Sequence, residues 1–168
     1  MRVILVIVIF FLPSLSTAGG PPNTVGHVDI ELLGTRQRVT LGLPYTVAQR
    51  AAEFTEANAS QAFANHLFQK TLGEKPLLSG NVPCLWEQPL AIISFAAIKI
   101  QAVATCPQAP RILTLELPFL HKTTADFFIS VQLHPDMHTD RIDMSKESSK
   151  ISIQLEETNE PEQTKNHS

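Results

Sequence analysis

The alternation of side-chain character across residues 27–43 constrains this chain more than any other feature. Val28, Ile30 and Leu32 fall on one face of an extended segment, with His27, Asp29 and Glu31 on the other. Gly34-Thr35 interrupts the run. The alternation then resumes with Val39, Leu41 and Leu43 against Arg38 and Thr40, and Pro44 ends it. Successive side chains of a strand point to opposite faces, so a period of two sets one buried face against one wet face. Two such runs about a short glycine-containing loop predict a β-hairpin.

The period then changes. Ala59, Phe63 and Leu67, with Ala62, Ala64 and Phe68, recur at three- and four-residue steps and predict a helix with an apolar stripe that covers one face of a sheet. Asn58 or Ser60 can cap its start and Gly73 can stop it. An earlier helical piece is expected over residues 47–56, where Ala48, Ala51 and Ala52 allow close packing. Past the loop of residues 76–83 the chain returns to β character. Residues 90–103 form a long apolar stretch, followed by strands at 112–117, 127–133 and 151–155. The expected fold class is mainly β, of the α+β kind: an antiparallel sheet or sandwich of about six or seven strands with a helical insertion after the first hairpin.

The ends of the chain read differently. Arg2, an apolar run from Val3 to Leu12, and small residues at Ser16 and Ala18 have the three parts of a secretory signal. The run is shorter than the roughly 20 residues that a membrane-spanning helix needs. Cleavage after Ala18 is expected, leaving one extracytoplasmic domain over residues 19–155 and a polar, disordered tail over 156–168. The processed chain carries 12 basic residues against 16 acidic ones. That balance argues against nucleic acid as a partner, which calls for a clustered basic face. No second apolar run is long enough to span a bilayer, so the processed protein is expected to be soluble in the periplasm or outside the cell, with a membrane or envelope protein as its partner.

Two cysteines, Cys84 and Cys106, lie in the exported part, and an even count in an oxidising compartment predicts a disulfide. Their spacing is far from the C-x-x-C of redox enzymes and common zinc sites. The bridge is expected to staple neighbouring strand ends, and Trp86 to seal the core beside it. Asn58-Ala-Ser60 and Asn166-His-Ser168 fit the asparagine glycosylation pattern.

The segment His134-Pro-Asp-Met-His138 holds two histidines four residues apart. Pro135 argues against a helix presenting both rings on one face, but in a loop His134, Asp136 and His138 can converge on a divalent ion such as zinc or nickel. His27 or His121 is the candidate further ligand, and the competing reading is a solvated polar loop. No G-x-S-x-G element or phosphate-cradling loop is present. An enzyme reading therefore rests on scattered loop residues, His121, Asp126, Asp136 and His138, brought together by the fold.

The run Val39-Thr-Leu-Gly-Leu-Pro44, the helix Ala64-Asn-His-Leu67, Cys84, and Cys106-Pro-Gln-Ala-Pro-Arg-Ile-Leu-Thr-Leu115 follow one another in this order. Over roughly residues 26–135 this resembles the extracytoplasmic domain of HupE/UreJ-type proteins, associated with nickel or cobalt uptake. It is also similar to periplasmic zinc-uptake accessory proteins of the ZrgA type, which pair two cysteines around a β segment. The chain departs from the first family, which carries an Asp-Pro-x-His element where His134-Pro-Asp-Met-His138 stands and continues into transmembrane helices. It departs from the second in lacking a histidine-rich tract. Both resemblances imply a non-enzymatic envelope protein. The function expected is an exported binding or accessory module linked to divalent metal uptake. The alternatives are a secreted enzyme, or a purely structural interaction domain marked by an exposed apolar patch.

Overall fold

The computed structural model describes residues 25–94, 96–134 and 142–155. The expected leader and tail, the Asn166 glycosylation pattern, and Asp136 and His138 lie outside these residues. In chain order the described elements are β1 (Val25–Leu33), β2 (Arg36–Pro44), α1 (Tyr45–Ala52), α2 (Gln61–Gln69), β3 (Leu78–Ser79), β4 (Val82–Pro83), β5 (Leu85–Trp86), β6 (Leu90–Ile93), β7 (Ala97–Thr105), β8 (Ile112–Glu116), β9 (Phe128–His134), β10 (Ile142–Met144) and β11 (Lys150–Gln154). The fold is mainly β with two helices after the first hairpin, as the periodicities predict.

The β1–β2 hairpin pairs from His27↔Gly42 to Leu33↔Arg36 around Gly34-Thr35. Gly34 has φ +67°, the left-handed backbone that a two-residue hairpin loop demands and that glycine adopts without steric cost. On its other edge β2 pairs antiparallel with β7 over nine positions, from Arg36↔Thr105 to Pro44↔Ala97. The large sheet runs β10-β9-β1-β2-β7, and β5 and β6 share the far edge of β7. A smaller antiparallel sheet runs β11-β8-β3-β4.

Two features differ from the expected antiparallel sheet. First, β1 and β9 are parallel, with Gly26↔Ile129 through Glu31↔His134 as partners. The chain reaches β9 only after crossing the smaller sheet through β8 and the short 3-10 turn Pro118–Lys122, and such a crossover is what a parallel neighbour requires. Second, the apolar stretch 90–103 is not one strand. Ser94 turns it: its backbone N–H donates to the Ala97 carbonyl at 2.9 Å and its hydroxyl accepts from the Ala97 N–H at 3.2 Å. β6 and β7 are thus an antiparallel hairpin.

One continuous buried cluster joins both sheets and both helices. Val28 and Ile30 of β1, Val39 and Leu41 of β2, and Ile98 and Ile100 of β7 supply its centre. Ala48, Ala51 and Ala52 of α1 and Phe63, Leu67 and Phe68 of α2 cover it, and Leu113, Leu115, Ile151 and Ile153 close it from the smaller sheet. α1 ends earlier than the alanine pattern suggests. Glu53 takes a left-handed conformation, φ 54° and ψ 44°, which turns Phe54 into edge-to-face contact with Tyr45 and Phe63. Ser60 caps α2, its hydroxyl accepting from the Phe63 N–H at 3.2 Å.

Gly73 does not stop α2, which is already capped at Lys70. Its role is steric, since a Cβ there would lie 2.4 Å from the Phe68 ring. That ring is buried and stacks edge-to-face on Trp86, with centroids 5.5 Å apart, and the Trp86 Nε1–H points at the Lys75 carbonyl 3.5 Å away. Trp86 therefore packs at the core margin beside the cysteines, as its position predicts. Cys84 and Cys106 are joined, with Cα atoms 4.2 Å apart, one step beyond the Leu85↔Thr105 pair of β5 and β7. The Cys84 N–H donates to the Leu77 carbonyl and the Cys106 N–H to the Thr35 carbonyl, so the bridge also ties the loop before β3 to the first hairpin.

Two stability measurements check this account. Replacing both cysteines by serine removes a cross-link between positions 22 apart and is expected to cost about 3 kcal/mol, lowering Tm by about 6–12 °C. Gly73→Ala is expected to cost about 1–3 kcal/mol in urea unfolding, because the Phe68 ring cannot move without leaving Trp86. Gly42→Ala meets only the half-exposed His27 ring, which can swing into solvent, so its cost should be clearly smaller.

Candidate functional site

Among the described residues no helix or strand covers one face of the large sheet, and the register orders its side chains into rows. One row runs Asp143, Ser130, His27, Gly42, Lys99 and Ile92 across β10, β9, β1, β2, β7 and β6. The next runs Gln132, Asp29, Thr40, Gln101 and Leu90. The third runs His134, Glu31, Arg38 and Val103. The last runs Leu33, Arg36, Thr105 and Leu85.

The middle of this face is a depression of about 380 Å³ lined by Asp29, Glu31, Arg38, Thr40, Gln101 and His134. Arg38 pairs with Glu31 across the strands, and Gln101 reaches toward the Thr40 hydroxyl at 3.4 Å. His27 lies flat over Gly42, the one position on this face where a missing Cβ makes room for a ring, and its Nε2 is 3.9 Å from Asp29. At the far edge Arg36 donates to both Glu87 carboxylate oxygens, at 2.8 and 3.0 Å, and the Thr105 hydroxyl donates to Glu87 at 2.9 Å. These bonds, from Arg36 first and Thr105 second, hold the Glu87 carboxyl below its ordinary value of 4.5. Beyond them stands an apolar fringe on β5 and β6: Leu85 is 76 % exposed, Leu90 54 % and Ile92 50 %.

The residues singled out from the sequence are placed as follows. His134 ends β9, exposed, beside Glu31 in the depression. His27 shares its face but pairs with Ser130, four residues away along β9, so the two strand positions are roughly 13 Å apart at 3.3 Å per residue. As placed, His27 and His134 are not gathered with a third ligand among the described residues. His121 sits in the 3-10 turn, with its ring against the Ser149 hydroxyl at 3.2 Å. Asp126 is exposed before β9, its carboxyl held below its ordinary value chiefly by the Thr124 hydroxyl and next by its own backbone N–H. His121 and Asp126 each have a separate partner, so these two described members of the enzyme reading do not form a pair. Among the described residues no cluster of three His, Cys, Asp or Glu side chains is placed to hold a metal ion. Also among them, no helix is long and apolar enough to cross a membrane.

Sequence reasoning missed Arg38, Thr40 and Gln101 as parts of a site. The signal was present in the period of two, because these are the outward positions of the strands whose inward positions define the core. No family model matches the chain, and no curated protein matches it.

The Arg36–Glu87 contact makes a titration prediction. The folded Glu87 carboxyl is depressed, so its contribution is present above the unfolded value and lost as pH falls through the folded one. Arg36→Gln should move the Glu87 carboxyl resonance midpoint upward, toward 4.5, in an NMR titration. The stability difference between the two proteins should exist at neutral pH and vanish once Glu87 is protonated in both.

Proposed function

We propose that the chain is an exported, non-enzymatic binding or accessory module that docks an envelope protein on the open face of its large sheet. The observation that carries this reading is the apolar fringe of Leu85, Leu90 and Ile92 next to a polar depression lined by Asp29, Glu31 and Arg38. Recognition surfaces combine these two parts, an apolar centre that excludes water and polar groups that fix orientation. Most of the depression's charged groups are already paired within the chain, which suits a docking surface better than a site for acid–base chemistry. The leader pattern and the cysteine pair support a route through an oxidising compartment. The resemblance to HupE/UreJ-type and ZrgA-type domains supports an accessory role in divalent metal uptake.

A metal-handling role has its own support. His134 stands beside Glu31 at the rim of the depression and leads into the segment with Asp136 and His138. An imidazole and carboxylates suit zinc or nickel.

The docking reading is tested by placing a photo-cross-linking side chain at position 90 or 92 in the exported protein, with position 152 of the smaller sheet as control. A discrete adduct at the fringe, absent from the control, is expected. Leu90→Asp with Ile92→Asp should weaken that association at least tenfold, about 1.4 kcal/mol, while changing stability by no more than about 0.5 kcal/mol. No adduct from properly exported, disulfide-bonded protein would overturn the reading. The metal role is tested by native mass spectrometry with zinc or nickel at low excess. One bound ion lost in His134→Ala is expected, and a protein that ignores both ions removes metal from the reading.

A further inference from the structure

We propose that Asn58 is a glycan acceptor, modified on its side-chain nitrogen by an oligosaccharide delivered from a lipid diphosphate. The proposal rests on the export reading, since only an exported chain meets such a transferase. Asn58-Ala-Ser60 has the acceptor pattern, with alanine and not proline at the middle position.

A three-residue pattern is common, and most of its occurrences in proteins are accidents of composition. The geometry here separates this one from an accident. Asn58 is exposed in the eight-residue connection between α1 and α2. Its Oδ1 accepts from the Ser60 hydroxyl and from the Ser60 backbone N–H, the latter at 3.0 Å. The hydroxyl thus already polarises the carboxamide at the oxygen, while no described residue takes a hydrogen bond from Nδ2, the atom that must react.

The loop is presented, not loosely tethered. The Ala57 N–H donates to the Tyr45 hydroxyl at 3.2 Å. Beneath it Phe54 is held edge-to-face between Tyr45, at 5.7 Å, and Phe63, at 5.0 Å. An aromatic base therefore fixes the root of the loop and leaves its tip in solvent. Both helices pack on the core side of the large sheet, so a sugar on Asn58 projects away from the open face and leaves it free for a partner.

The step balances without an oxidant or reductant. Nδ2 forms a bond to the anomeric carbon of the sugar, and the bond from that carbon to the diphosphate oxygen breaks. The lipid diphosphate departs with the bonding pair, and the Nδ2 proton passes to a base of the transferase.

The test uses the full chain, exported by its own leader in a secretory host that carries an asparagine-linked oligosaccharyltransferase. Intact mass under non-reducing conditions reports leader loss, the Cys84–Cys106 bridge and any sugar in one spectrum. A sugar-sized mass increase is expected, removed by an amidase that leaves an aspartyl residue at position 58. It should be absent in Asn58→Gln and retained in Ser60→Thr, which keeps both the hydroxyl and the helix cap. A processed, disulfide-bonded chain with bare Asn58 overturns the glycan alone. A chain that keeps its leader and has free thiols overturns export and the glycan with it.

Discussion

The nine-position pairing of β2 with β7 is the constraint from which the other features follow. It sets Val39, Leu41 and Leu43 beside Ile98, Ile100 and Ala102 on one side, and Arg38 and Thr40 beside Val103 and Gln101 on the other. Because strand side chains alternate, a one-residue slip would send the whole apolar set into water and bury the charges. The disulfide guards this register at its end: Cys84 and Cys106 face each other where β5 meets β7, and Cys106 also bonds the hairpin loop through Thr35. With the register fixed, the side that the helices cover is fixed too. On the opposite side the register sets which residues share a row.

How much of this is legible in the sequence depends on the range of the interactions involved. The β1–β2 hairpin and α2 are legible because their determinants are local: period-two alternation around Gly34, and an apolar stripe behind the Ser60 cap. The bridge is legible from the even cysteine count and the expected export. The parallel β1–β9 pair is not, because nothing near Gly26 or Ile129 encodes direction, which is decided by the path through the smaller sheet. Residues 90–103 look like one buried strand because composition alone cannot show that β6 is an edge, with Leu90 and Ile92 turned outward. Gly73 reads as a helix stop by habit of its type, whereas its neighbour Phe68 shows that it is space for a ring. Of the candidate site, His134 was visible as a chemical type. Arg38, Thr40 and Gln101 become partners only through pairing between strands distant in sequence.

The edge of the large sheet is where stability and the proposed docking conflict. Soluble proteins blunt an exposed edge strand with lysine, proline or a bulge, because unpaired backbone groups invite association. β6 is Leu90-Ala91-Ile92-Ile93, with none of these within it. α2 packs against it, and at its start Gln61 of α2 donates to the Pro89 carbonyl at 2.7 Å. Next along the same edge, the Arg36–Glu87–Thr105 contacts hold the segment after β5 in charged, hydrated form. An exposed apolar strand flanked by ordered polar groups is costly for a monomer to keep, and a docking partner would remove that cost by covering it.

The two sides of the large sheet therefore carry opposite chemistry. On the helical side, the half-buried rings of Tyr45 and Phe54 and the buried ring of Phe63 anchor a loop whose tip is polar and exposed. On the open side, Gly42 lets the His27 imidazole lie flush on the strands, in the row next to the charged depression. A bulky sugar and a docking protein would exclude each other on one face, but here a sheet and two helices stand between them. The same one-sided burial that folds the chain therefore also separates what the chain could carry from what it could bind.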